Sequence, residues 1–139
     1  MNEPETIREI LENTKTIAVI GLSDKPERAS YGVSKFMQQQ GYRIVPVNPQ
    51  ATSVLGEPAY STLEEAFTAN DGQIDLVNVF RASMFVPEIV KDVMRLKIPR
   101  LWLQEGVCHE EAAGWAEHAG IKVVMDRCIL KDRMAAGWR

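Results

Sequence analysis

The chain has little of what several common protein classes require. Its only cysteines are Cys108 and Cys128, and its only histidines are His109 and His118. The cysteines show no CxxC spacing and no pair of histidines lies near them, which argues against a structural zinc site and a disulfide scaffold; both thiols are expected to be reduced. No apolar run approaches the ~20 residues that span a bilayer. The segment Met1 to Thr14 is acidic and lacks the apolar centre of a signal peptide, so a cytoplasmic location with no membrane partner is expected. Positive charge is not in excess: 16 Lys and Arg stand against 19 Asp and Glu, a formal net charge of −3. A nucleic-acid partner, whose phosphates call for a basic face, is therefore not expected.

What remains is average for a globular protein, with 45% apolar, 7% aromatic and 25% charged residues in 139 positions. That length suits one domain, 1–139, with a core of its own. Helical spacing of Ile7, Ile10 and Leu11 predicts a helix over 4–12, with Pro4 in its first turn and Asn2 as its cap. Thr16 to Ile20 is short, apolar and β-branched, and stops at Gly21: a buried strand. A polar loop leads to a helix from Tyr31 to Gln40.

The alternation then repeats. Strands are expected at Arg43–Val47, Ile74–Phe80, Arg100–Leu103 and Ile121–Met125. Helices are expected from Thr62 to Ala69, from Met84 to Leu96 with Ser83 as cap, from Glu110 to Ala119, and over 129–136. Helical crossovers between short apolar strands specify a doubly wound, five-stranded parallel α/β sheet, Rossmann-like, with expected strand order 3-2-1-4-5.

Such sheets bind ligands beyond the carboxyl ends of their strands, where the strand order reverses. The first of these loops holds Gly21, Leu22, Ser23, Asp24 and Lys25, followed by Arg28. A glycine that permits close approach, a hydroxyl, two cations and a helix start together suit a phosphate. Beyond the second strand lie Asn48 and Pro49, beyond the third Arg81 and Ser83, and beyond the fourth Gln104, Glu105 and Gly106.

A dinucleotide fingerprint is absent. Only the first glycine of G-x-G-x-x-G is present, at Gly21, and the second strand ends in Val47-Asn48-Pro49 with no acid for a ribose. A phosphate-accepting receiver domain is excluded more firmly, because Gly21 and Phe80-Arg81 stand where its carboxylates belong.

Five motifs in order carry a resemblance: Gly-Leu-Ser-x-Lys-Pro at 21–26, Pro-Val-Asn-Pro at 46–49, Val-Phe-Arg-x-Ser at 79–83, Trp-Leu-Gln-x-Gly-Val at 102–107 and Val-Met-Asp-Arg-Cys at 124–128. From Ile7 to Lys131 the chain resembles the small stand-alone CoA-binding proteins of bacteria and archaea. These are similar in turn to the N-terminal CoA-binding domain of the succinyl-CoA synthetase alpha subunit. The resemblance implies coenzyme A as ligand. Gly21, Leu22, Ser23 and Lys25 would hold the phosphate-bearing end, with Arg28 adding charge; Val47, Asn48 and Pro49 would flank the adenosine. Phe80 and Arg81 would line the cleft, and Gln104, Glu105 and Gly106 the pantetheine path.

The synthetase also needs a phosphorylated histidine in a second domain and an ATP-binding partner subunit. His109 reads instead as a helix-start residue and His118 as a solvated one, and no nucleophile–base–orienter set is present. The expected function is binding of CoA or acyl-CoA without complete catalytic machinery, with a protein partner as a further expectation. The alternatives are a small enzyme acting on a CoA thioester and an NAD(P)-binding regulatory protein. Cys108, near a helix start that can lower a thiol pKa, is a candidate for a mixed disulfide with CoA. Cys128, Trp102, Met84, Met94 and Met125 read as core; Trp115 reads as core or an oligomer contact, and Trp138 as a frayed end.

Overall fold

The structure is a computed structural model that describes residues 1–137; Trp138 lies outside the described residues. The main sheet contains β1 (Thr16–Ile20), β2 (Arg43–Val47), β5 (Leu76–Val79), β6 (Arg100–Leu103) and β7 (Lys122–Val124), all parallel. A two-residue-per-strand ribbon, β3 (Ser53–Val54) and β4 (Glu57–Pro58), lies beyond β2. The helices are α1 (Pro4–Asn13), α2 (Ala29–Gln39), α3 (Leu63–Ala69), α4 (Val86–Arg95), α5 (Glu110–His118) and α6 (Ile129–Ala136).

Alternate strand residues feed two cores. Ala18, Ile20, Val77, Val79, Leu101 and Leu103 pack with α3, α4 and α5. Ile17, Val19, Leu76 and Trp102 pack with α1, α2 and α6. The period of two in these strands thus places helices on both faces of the sheet. No helix among the described residues is long and apolar enough to cross a membrane.

The expected doubly wound α/β class holds, but the strand order differs. The sheet runs β2-β1-β5-β6-β7. Counting only its strands in chain order, this is 2-1-3-4-5, not 3-2-1-4-5. Pro46 is the physical reason on the β2 side. Its carbonyl accepts from the Tyr60 amide at 3.0 Å, and proline has no N–H to offer a further full ladder. Among the described residues the second strand is therefore an edge, closed only by a bridge between Val47 and Tyr60. β5 is buried along its whole length and takes a partner on each side. Right-handed crossovers then require α2 and α3 on opposite faces, as observed. The switch point lies between β1 and β5, whereas the expected order places it between the first and fourth strands.

Local signals explain most element ends. Thr62 caps α3 by accepting from the Glu65 amide at 3.1 Å. His109 caps α5, its Nδ1 accepting from the Ala112 amide at 3.2 Å, so it is the helix-start residue expected. Two expected caps differ. Asn2 makes no cap on α1, which starts from Glu3 without a side-chain bond. Ser83 opens a 3₁₀ turn, Ser83–Phe85, ahead of α4 and turns its hydroxyl to another loop. Cys128 and Trp102 are buried as expected. Met84 and Met94 are not core: they are 77% and 37% exposed, because the 3₁₀ turn and the end of α4 carry them off the buried stripe.

Candidate functional site

Gly21 ends β1 with φ +84, a conformation that favours glycine. Its amide donates to the Val47 carbonyl at 2.9 Å, and the Phe80 amide donates to the Ile20 carbonyl at 2.9 Å. A Cβ at Gly21 would stand 2.4 Å from the Phe80 carbonyl oxygen and 3.2 Å from Cδ of Arg81. The loops after β1 and β5 are therefore in direct contact, and Arg81 passes over Gly21. The Arg81 guanidinium lies over the ring of Phe85, 4.1 Å from its centroid.

The rest of the first loop is shaped by its own short side chains. The Ser23 amide donates to Ser30 Oγ, and the Lys25 amide to Ser23 Oγ, both at 3.0 Å. Leu22 is fully buried and presents no surface at this edge. Asn48 ties the second loop to the first: its Nδ2 donates to the Leu22 carbonyl at 2.9 Å, while its Oδ1 accepts from the Gln50 amide at 2.9 Å. Val47 is buried and Pro49 exposed on either side of it. Lys25 and Arg28 are exposed, and neither has a carboxylate partner among the described residues; Arg81 likewise has only Phe85. These cations border the turn at Gly21, an arrangement of charge suited to an anionic ligand.

The loop after β6 is held from several sides. Gln104 is buried and its Oε1 accepts from the Ile129 amide at 3.0 Å, so its side chain caps α6. Glu105 is exposed and paired with Lys131 at 3.0 Å. The Gly106 amide donates to Asp126 Oδ1 at 2.7 Å, and Ser83 Oγ accepts from the Cys108 amide at 2.9 Å. A recess of about 160 Å³ beside it is lined by Glu105, Asp126, Arg127, Cys128, Lys131 and Asp132.

Cys108 does not have the lowered pKa expected of it. Desolvation pushes its thiol up, and the Asp126 and Glu110 carboxylates push it further in the same direction. Sequence reasoning assigned no role to Ser30, Phe85 or Asp126. Asp126 stood within one of the quoted motifs; Ser30 and Phe85 give no signal apart from their position in the fold.

The pattern describing the CoA binding domain matches residues 15–134. The chain belongs to that family. This CoA binding domain is 46% identical over 123 residues to the uncharacterized protein YneT of Bacillus subtilis (strain 168), covering 88% of each chain. It is 34% identical over 77 residues to the alpha subunit of acetate–CoA ligase (ADP-forming) II of Pyrococcus furiosus, 55% of this chain but 16% of that one. Among solved structures, Prb, the PH1109 protein redesigned for binding, matches with a TM-score of 0.91 at 30% identity, over 100% of this chain and 96% of the other.

Proposed function

We propose that this protein binds coenzyme A, free or acylated, across the carboxyl edge of its sheet, and that it does so without a complete catalytic apparatus of its own. The observation that carries this reading is the switch point itself. There the Gly21 turn meets Phe80 and Arg81, bordered by cations without carboxylate partners. Coenzyme A is rich in phosphate, and its negative charge calls for such a border. The phosphates fall to the loop 21–28 and Arg81, and the adenosine to Val47, Asn48 and Pro49. The pantetheine arm falls to the backbone of Gln104, Glu105 and Gly106. From β2 to β6 is three strand spacings, about 14 Å, a span that suits an extended ligand. Membership of the CoA binding domain family supports the choice of ligand, as does likeness to a subunit of a CoA ligase. Asn48 supports it against NAD: β2 ends without a carboxylate to grip ribose hydroxyls.

The test is thermal unfolding with CoA, acetyl-CoA, dephospho-CoA, NAD and ATP in parallel. A ligand at a hundred times its Kd adds about 2.7 kcal/mol of stability. A rise in midpoint with CoA and none with NAD is expected. No rise with millimolar CoA overturns the reading.

A further inference from the structure

The residues ahead of α1 reach this same edge. Asn2 precedes the stretch matched by the family, and its backbone is left-handed, φ +67. Its Nδ2 donates to the Met125 carbonyl at 2.8 Å and its Oδ1 accepts from the Met125 amide at 2.8 Å. Met125 follows β7, which among the described residues pairs only with β6. Beyond the end of such a strand, backbone groups need another partner. The Asn2 amide supplies both a donor and an acceptor, acting as one rung of a neighbouring strand that the sheet edge lacks.

Met125 and Asp126 in turn hold the loop after β6. The Met125 sulfur accepts from the His109 amide at 3.4 Å, and Asp126 Oδ1 from the Gly106 amide at 2.7 Å. On the opposite side Ser83 Oγ accepts from Cys108 and donates to the Gly106 carbonyl at 3.4 Å. The segment 106–109 is thus suspended between the 3₁₀ turn after β5 and the turn after β7, and Asn2 anchors the second of these.

We propose that Asn2 is a positioning residue: through Met125 and Asp126 it sets the place of Gly106, where the segment assigned to the pantetheine arm ends, and of the residues that follow it to His109, and has no part in holding the phosphates. The assignment of that arm rests on the CoA reading above. Asn2→Asp removes the donor and sets a carboxylate against the Met125 carbonyl. Asp126→Gly cuts the next link while suiting the left-handed φ of +61 at that position.

In each variant, amide hydrogen exchange at 106–109 is expected to quicken about fivefold to tenfold, the scale of one lost hydrogen bond, with β1 and β5 unchanged. Affinity for CoA is expected to fall by a similar factor. Affinity for the adenosine bisphosphate portion of CoA, which lacks the arm, is expected to hold, a split that general destabilisation does not produce. Unchanged exchange in Asn2→Asp, or equal losses for both ligands, overturns the proposal. A wild-type protein that binds neither ligand overturns the CoA reading and the arm assignment together, while the exchange measurement still decides the clamp.

Discussion

The Phe80 carbonyl oxygen occupies the space that a side chain on Gly21 would need: an added Cβ would lie 2.4 Å away. This contact joins the two strands at which the sheet reverses direction, so the glycine is required by the fold itself. Gly41 is also left-handed, φ +102, yet has no atom within 4 Å of an added Cβ. The pair separates steric from conformational cost. Gly41→Ala should lose about 1–2 kcal/mol, the cost of a left-handed L-residue. Gly21→Ala should lose more, about 3 kcal/mol or above, because Phe80 must also shift. Chemical denaturation of both variants checks this; equal losses would refute the close approach.

Arg81 and Lys25 are expected to differ in how they serve a ligand. Each alanine variant should weaken CoA binding by about 1–3 kcal/mol, the scale for hydrogen bonds to charged groups. The loss should shrink with dephospho-CoA for whichever residue holds the extra phosphate. Phe85→Ala should weaken binding less, since it removes only the surface on which Arg81 rests at 4.1 Å. Calorimetric titration of the variants with both ligands decides. Unchanged affinity in Lys25→Ala and Arg81→Ala would refute this placement of the phosphates.

Element types were legible because periodicity is local. The five main strands and their helices follow from runs such as Thr16–Ile20 and the apolar face of Val86, Ile89, Val90 and Val93. Strand order is not local, and there the reading failed, although Pro46 marked β2 as an edge. The loop residues of the candidate site were legible as positions and less so as side-chain roles. Gln104 and Leu22 face inward, which depends on what packs beneath them. Asn2 and Asp126 act on residues far away in sequence, and no spacing pattern reports such pairings.

Tyr42 gives a pH-dependent prediction. Its hydroxyl donates to the Leu11 carbonyl at 2.6 Å, tying the strand entry to the end of α1. Burial pushes the phenol's pKa up, opposed in part by Arg133. The folded protein therefore holds this proton more tightly than the unfolded chain does. The contribution is complete below the ordinary tyrosine value of about 10 and is lost as pH climbs from there through the raised folded value. Tyr42→Phe should cost about 1–3 kcal/mol at neutral pH, because the Leu11 carbonyl loses its donor, and should flatten the alkaline loss. Denaturation midpoints from neutral to strongly alkaline pH test both; an unchanged alkaline slope would refute the assignment.

Cys108 is exposed and sits just before α5, both of which would favour a reactive thiol. Its immediate neighbours act the other way. Desolvation and the Asp126 and Glu110 carboxylates all disfavour the thiolate, so the proton stays on at neutral pH. Alkylation by iodoacetamide should be slower than that of a free thiol at pH 7 and should accelerate only above the ordinary range of about 8.5. Asp126→Asn retains an acceptor for the Gly106 amide but removes the charge, and should raise the neutral rate without loosening the loop. CoA disulfide should leave no adduct on the wild-type protein at neutral pH, and mass spectrometry of the unreduced protein reads that directly. Rapid labelling at pH 7, or a rate indifferent to Asp126→Asn, would show that the helix start governs this thiol and the carboxylates do not.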